Sequence, residues 1–125
     1  MPALFLYHDK KFEPFAQTWE RFEEGLRHRY LWSIAIDTAD ADIIIVSAAA
    51  SAGHSHSEPA ESYLYRRTAG SPWQQLRDGL PTSAGRRTAI LAAHPSEPGT
   101  FFAAWEHDVS HSVNGGVRWR RLDVP

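Results

Sequence analysis

His54 and His56 in "SAGHSHSEPAES" are the residues whose type and spacing most directly suggest chemistry, because imidazole binds transition metals. In an extended segment, alternation would place both rings on one side of the chain. Two ligands are too few for a zinc site, so a third would have to come from Glu58, His107 or His111. We expect instead a solvated loop, and we predict no metal and no cofactor.

Carboxylates are the second candidate, since a glycoside hydrolase needs two of them facing each other across the sugar. The chain offers Asp37, Asp42, Glu61 and Asp108. Asp37 is the best placed, because it ends an apolar run, but an Asp before "TADAD" also suits the capping of a turn. We predict the turn role, so Asp37 remains a weak catalytic candidate and no catalytic residue is assigned.

Arginines and aromatic residues complete the candidates. Arginine binds carboxylates through paired hydrogen bonds, but here we expect solvated strand faces for Arg66, Arg67, Arg86, Arg87, Arg118, Arg120 and Arg121. Trp32, Trp105 and Tyr30 could stack on sugar rings; we expect Trp32 to lie in the core and Trp105 to be partly exposed. No phosphate-binding loop, G-x-S-x-G or H-E-x-x-H motif is present. The sequence therefore contains no complete catalytic constellation.

Composition excludes several other classes. The chain has 125 residues, enough for one domain, and its net charge of −2 gives no reason to expect nucleic acid or an anionic membrane as partner. It contains no cysteine, so disulfides and thiolate metal sites are impossible. The longest apolar run, Ile43 to Ala52, is too short to span a bilayer, and we expect neither a signal peptide nor a membrane segment. These features fit a cytoplasmic location but do not establish the compartment.

The elements that would position these residues repeat along the chain. Trp19, Trp73 and Trp119 are the second residues of three similar tails, TWERFEEGL, PWQQLRDGL and RWRRLDVP. Before the later two lie matching segments, "WSIAIDTADADIIIVSAA" and "TAILAAHPSEPGTFFAAW". Each has an apolar run, an Asp or His, a turn and a second apolar run. The chain is therefore predicted to contain consecutive copies of one structural unit.

Alternating apolar and polar residues bounded by turns predict four short strands per unit. For residues 18–32, Glu and Arg favour a helix, but the match to the other tails favours strand plus loop. "LFLY" is predicted as the outer or third strand of a preceding unit. The eight strands are expected near residues 31–37, 42–48, 61–67, 72–76, 87–93, 100–105, 108–113 and 117–122.

Four strands in about 45–55 residues are typical of a β-propeller blade. We predict an all-β chain of two consecutive four-stranded antiparallel blades plus a partial third. Residues 1–26 would be the tail of a preceding blade, 27–80 a blade with a loop insertion at 50–60, and 81–125 a second blade. Because two blades cannot close a ring, we expect self-association that completes one, or poor solubility.

The final turn, Ser112-x-Asn114-x-Gly116-x-x-Trp119, resembles the Asp-box S-x-D-x-G-x-x-W of the bacterial neuraminidase repeat, BNR. Of the corresponding box in the preceding unit, only Gly70 and Trp73 remain. The wider pattern is similar to bacterial YVTN/BNR-like repeat proteins of the sialidase-like superfamily. The resemblance implies that the box is a structural turn between a third and fourth strand, away from any catalytic centre, and that this is the C-terminal portion of a larger propeller.

The resemblance implies two functions. The first is a non-catalytic scaffold that binds an unknown protein or carbohydrate on a blade rim, with the insertion at 50–60 as the expected place. The alternative is an exo-alpha-sialidase-like glycoside hydrolase whose catalytic residues lie mostly outside this chain. Such an enzyme uses three arginines, a Tyr–Glu pair and an Asp acid, and no position of this sequence can be matched to them.

Overall fold

The computed structural model describes residues 5–7, 19–21 and 23–123, and these are organised into antiparallel sheets. A two-stranded sheet comes first, followed by two four-stranded sheets in which consecutive strands are neighbours. The strands of the small sheet are β1, Phe5–Tyr7, and β2, Trp19–Arg21. The first four-stranded sheet contains β3, Tyr30–Ile36; β4, Ile44–Ala49; β5, Tyr63–Arg67; and β6, Gln74–Gln75. The second contains β7, Ile90–Ala93; β8, Phe101–Ala104; β9, Val109–Ser112; and β10, Arg120–Arg121.

The predicted all-β class is confirmed, and each of the eight predicted strands overlaps an observed one. The predictions for residues 72–76 and 117–122 are too long, because only two residues of each pair in the sheet. The cause lies in the preceding tryptophans: the backbone N–H groups of Trp73 and Trp119 bond to distant turns rather than to the neighbouring strand. Tertiary hydrogen bonds thus shorten both outer strands.

The segment at residues 18–32 has no helix in its described part. β2 is followed by a turn in which the N–H of Leu26 donates to the carbonyl of Glu23 at 2.9 Å. The prediction of strand plus loop is therefore confirmed over residues 19–21 and 23–29. β1, within the predicted "LFLY" strand, pairs antiparallel with β2, Tyr7 lying opposite Trp19.

The two four-stranded sheets pack face to face around one core. Register places Ala35 beside Ile45 in the first sheet and Leu91 beside Ala103 in the second, so each pair shares a face. The side chains of these two faces pack together in a single buried cluster, which also contains Leu64, Ala89, Phe101 and Trp119. Burial of one large side chain such as Phe101 contributes about 1.5–3 kcal/mol. A second cluster lies on the other face of the first sheet, which explains why β4 is buried along its whole length.

Two serines form hydrogen bonds that connect the two four-stranded sheets at a bulge in β3. The pairing register shifts between Leu31 and Ser33, and the N–H of Ser33 donates to Ser47 Oγ at 3.1 Å. Ser47 Oγ donates to the carbonyl of Ala89 at 2.8 Å, and the N–H of Leu91 donates to Ser33 Oγ at 2.9 Å. Because Ser47 is fully buried, these bonds satisfy polar groups that would otherwise be costly in the interior.

A glycine turn links each four-stranded sheet to the unit before it. Gly25 and Gly79 have φ of +91° and +78°. The residue before each glycine accepts a hydrogen bond from the N–H of Trp73 or Trp119, at 2.8 and 3.0 Å. A Cβ on Gly25 would lie 2.1 Å from the carbonyl oxygen of Trp73, and one on Gly79 would lie 1.8 Å from that of Trp119. The repeated Gly-Leu thus marks a close backbone crossing that only glycine permits.

The structure of the insertion at residues 50–60 differs from the prediction of a solvated loop. It contains a short helix, α1, Ala52–His56, capped by Ser51, instead of the expected solvated loop. Ser55 is fully buried, and its Oγ lies 2.7 Å from Thr88 Oγ1. The N–H of Thr88 donates to the carbonyl of Ser55 at 3.0 Å. The insertion is therefore hydrogen-bonded to the segment that precedes β7, the first strand of the second four-stranded sheet. Across the described residues, no helix is long and apolar enough to cross a bilayer.

Candidate functional site

Three connections meet at one end of the two four-stranded sheets. They are α1 with the loop before β5, residues 76–89, and residues 105–108. Antiparallel pairing brings the end of β4 beside the start of β5 and the end of β8 beside the start of β9. The connection from β6 to β7 joins them through the bridge between Glu61 and Ala84. Between the three connections lie two adjoining cavities of about 310 and 380 Å³. Thr82, Arg86 and Trp105 line both cavities. We call the two cavities together the rim cleft.

The walls of the rim cleft differ in chemistry. The smaller cavity is lined by Tyr63 and Arg77 among largely uncharged neighbours. The larger is lined by charged groups, including Glu58 and Glu106. The cleft thus brings an aromatic wall and a charged edge together, the combination that fixes the orientation of small ligands. The sequence did not identify Tyr63 and Arg77 as candidate site residues, because nothing in their local pattern distinguishes them from ordinary strand and turn residues.

Asp108 forms ion pairs with two arginines at the charged edge of the rim cleft. Its two carboxylate oxygens contact Arg86 Nη1 at 2.5 Å and Arg121 Nη2 at 2.8 Å. The hydrogen bond from Arg86, opposed by burial and supported by the charge of Arg121, holds the pKa of Asp108 below its usual value. The Arg86 guanidinium also lies 5.8 Å from the centre of the Trp105 ring. The expectation that Arg86 belongs to a solvated strand face is therefore wrong, since a tertiary ion pair holds it in the cleft wall.

A hydroxyl–carboxylate pair lies at the same end. Tyr63 Oη donates to Glu61 Oε2 at 2.7 Å, and the ring of His28 stacks on Tyr63 with 3.7 Å between ring centres. The hydrogen bond to Glu61, with a smaller effect of burial, raises the pKa of Tyr63. Tyr63 therefore keeps its proton at neutral pH and acts as a donor. Of the carboxylates singled out in the sequence, Glu61 and Asp108 thus belong to this end.

Asp37 lies at the opposite end, where β3 ends. Its Oδ2 accepts the N–H groups of Ala39 and Asp40, each at 3.0 Å, and its Oδ1 accepts that of Gly99 at 2.5 Å. Burial alone would raise the pKa of Asp37, but these three backbone hydrogen bonds outweigh it and lower the pKa. The predicted turn role is confirmed. Both carboxylate oxygens are occupied, and the turn is also tied to the second sheet.

The two histidines of the insertion do not share a side. Consecutive residues in a helix are rotated by about 100°, so His54 and His56 in α1 point in nearly opposite directions, and the assumption of extended alternation is wrong. His54 Nδ1 lies 2.8 Å from Ser51 Oγ, while His56 Nε2 lies 3.2 Å from Tyr30 Oη. Among the described residues, no group of three His, Asp or Glu residues could hold a metal ion.

Trp32 is exposed, which corrects its predicted place in the core. Half of its surface, 51%, is accessible, because Trp32 occupies the bulge between Leu31 and Ser33 and pairs with no residue of β4. Trp105 is half-buried, as predicted, and its Nε1 lies 3.4 Å from Ser62 Oγ. A bulge is not visible in the alternation of side chains, so the sequence carried no signal for this exposure.

The turn resembling an Asp-box is closed by its own side chains. Ser112 Oγ donates to Asn114 Oδ1 at 2.9 Å and accepts the N–H of Gly116 at 3.0 Å. Asn114 Oδ1 also accepts the N–H of Arg118 at 3.0 Å, and Trp119 Nε1 donates to the carbonyl of Gly116 at 2.8 Å. Each of these residues therefore contributes to the turn's geometry.

The corresponding turn of the preceding unit keeps only part of this arrangement. Gly70 has φ of +71° and Trp73 is buried. Arg66 stands where the motif has Ser, and its Nε donates to the carbonyl of Gly115 at 2.7 Å. Arg66 therefore links the two turns, which corrects its expected place on a solvated face.

No protein-family model matches this chain. No curated protein is significantly similar to it.

Proposed function

We propose that this chain is a BNR-like repeat protein of the sialidase-like β-propeller type and acts as a non-catalytic binding module. The observation that carries the proposal is the repeated link between a glycine turn and the backbone of Trp73 or Trp119 in the following unit. A link repeated in the same way between consecutive sheets is expected when equivalent blades stack about an axis. The closed turn from Ser112 to Trp119 supports the same assignment.

Binding is proposed to occur in the rim cleft. Its cavities, of about 310 and 380 Å³, are at the small end of the range for ligand sites. Trp105 and Tyr63 offer flat apolar area with polar tips, and Arg77 and Thr82 offer donors. A carbohydrate or a short polar segment of a protein partner matches this combination. A scaffold role needs no group that makes or breaks a bond.

The test is a glycan microarray, with isothermal titration calorimetry of the ligands it identifies. Trp105→Ala is expected to weaken binding about tenfold or more, because it removes the wall shared by both cavities. Ile36→Ala is the control, since Ile36 is exposed and lines neither cavity, and it should bind as the wild type does. Absence of any ligand, or equal affinity in Trp105→Ala, would contradict the cleft as a binding site.

An exo-alpha-sialidase-like glycosidase is the second candidate, favoured by one observation. Tyr63 and Glu61 form a hydrogen-bonded pair at 2.7 Å, which has the residue types of a sialidase's Tyr–Glu pair. Arg86, which lines the same cavity as Tyr63, argues the other way, since Asp108 engages its guanidinium. If the wild type hydrolyses a fluorogenic sialoside and Tyr63→Phe abolishes that hydrolysis, the glycosidase is favoured. If the wild type shows no hydrolysis, the non-catalytic binding module is favoured.

A further inference from the structure

A second site lies beside the insertion, outside the cavities of the rim cleft. Trp32 on β3 is 51% exposed, whereas Trp73 and Trp119 are each 3% exposed. Next to it stand Tyr30, from the same strand, and His56, from α1. We call these three residues the aromatic platform. An exposed indole beside two further rings offers a ligand a flat apolar surface with polar atoms at its edge.

The platform is held in place before any ligand arrives. His56 meets Trp32 edge to face, with 4.3 Å between ring centres and 72° between planes. It also meets Tyr30 edge to face at 5.7 Å, and its Nε2 lies 3.2 Å from Tyr30 Oη. The neighbouring Ser55 is buried and hydrogen-bonded to Thr88, so α1 cannot move away freely. Little side-chain entropy remains to be lost on binding.

The geometry points to one kind of ligand. An edge-to-face contact with His56 covers at most one face of the indole, and half of the Trp32 surface is exposed. A sugar ring has an apolar face of C–H groups that packs on an aromatic plane, and hydroxyls around its edge that need partners. Tyr30 Oη, which is hydrogen-bonded to His56 Nε2, keeps a further hydrogen-bonding position beside the indole to pair with a sugar hydroxyl. None of the three side chains carries a permanent charge, which favours a neutral sugar.

We propose that the aromatic platform of Tyr30, Trp32 and His56 binds a neutral pyranose by stacking it on Trp32. This inference goes beyond the proposed function, because the platform shares no residue with the rim cleft. It also stands apart from the propeller assignment, since it depends on a bulge and an inserted helix rather than on the repeated unit.

The experiment is an NMR titration of the full chain with cellohexaose, maltohexaose and mannohexaose, which follows the indole N–H signals. We expect at least one of these neutral sugars to shift the Trp32 signal at up to about 10 mM. Trp32→Ala should weaken that binding about tenfold or more, and Trp32→Phe by less, because a smaller ring remains. Ile36→Ala is the control, since Ile36 lies on the same strand, is 44% exposed and lines neither cavity of the rim cleft. It should bind within about twofold of the wild type.

Two results would overturn the proposal. One is that none of the three sugars shifts the Trp32 signal, and the other is that a sugar binds equally well to Trp32→Ala. Should Trp32→Ala fail to fold, as judged by its NMR spectrum, Trp32→Phe and His56→Ala decide the matter. His56→Ala is expected to weaken binding several-fold, because the indole loses its neighbour, and unchanged affinity in both of these variants would count against the platform.

Discussion

Single side chains close the turns of both four-stranded sheets, and they do so in equivalent ways. Asp37 Oδ2 accepts the backbone N–H groups of the residues two and three positions later, each at 3.0 Å. His94 Nδ1 does the same at the matching place in the next unit, each bond measuring 3.1 Å. A carboxylate oxygen and an imidazole nitrogen thus perform one task, since each accepts hydrogen bonds from two backbone N–H groups.

The capping of Asp37 predicts acid sensitivity. Because the folded pKa of Asp37 is lowered, its contribution to stability is complete above the ordinary pKa of about 4 and is lost as the pH falls through the lower folded pKa. Urea unfolding at about pH 7 and pH 3 should show a smaller acid loss in Asp37→Asn than in the wild type. Asp42→Asn makes the same charge change on the same turn and serves as the control. An identical pH dependence of wild type and Asp37→Asn would contradict the prediction.

Asn114 is predicted to stabilise the final turn through its side-chain oxygen. Asn114→Ala removes the acceptor of Ser112 Oγ and of the Arg118 N–H, and we expect it to lower the free energy of unfolding by about 1–2 kcal/mol. Asn114→Asp keeps an oxygen at that place and should be at least as stable as the wild type. Val113→Ala, on a side chain that is 68% exposed, should change stability by less than about 0.5 kcal/mol. Equal stability of Asn114→Ala and Val113→Ala in urea unfolding would exclude this role.

At the scale of secondary structure, strands could be predicted from the sequence where a local pattern of residues specifies them. Alternation and turn residues placed all eight strands of the two larger sheets within a few residues. The lengths of β6 and β10 were not predictable, because the tryptophan before each strand bonds to a turn some 40 or more residues earlier in the chain. The same long-range bond explains why the tails repeat Gly-Leu.

Gly79 and Gly85 provide a matched test of this backbone crossing. Both have φ of +78°, but a Cβ on Gly85 meets nothing within 4 Å, whereas one on Gly79 would collide with the carbonyl oxygen of Trp119. Gly85→Ala should cost about 1 kcal/mol from its backbone conformation alone. Gly79→Ala should cost about 3 kcal/mol or more, because the turn must also move away from Trp119. Equal losses in thermal and urea unfolding would show that the crossing adds nothing.

At the scale of the whole molecule, one face of the second sheet carries an exposed apolar side chain. Register aligns Ile90 with Ala104 and Val109 across three strands. Ile90 is 64% exposed, while the opposite face of the same sheet is buried in the core. Exposed apolar surface on a sheet favours association, as would the incomplete ring that the sequence predicts.

We therefore expect the mass of the chain in solution to rise above 14.1 kDa with increasing concentration. Ile90→Lys should shift the protein toward the monomer, because a charge is costly to bury in a second apolar surface. Val117→Lys is the control, since it adds the same charge to an exposed turn residue. Size-exclusion chromatography with light scattering measures both. A wild-type mass of 14.1 kDa throughout the concentration series would refute the expectation.

The sequence by itself determined the strands, the turns and the repeated unit, because the pleat of a strand and the backbone freedom of glycine act over a few residues. It also identified Asp37 as a turn residue. Only the tertiary structure decided the exposure of Trp32, the meeting of His56 with Tyr30, and the place of Arg86 beside Trp105. These depend on a bulge and on an inserted helix and loops folded across distant segments, and no local pattern of residues encodes such contacts.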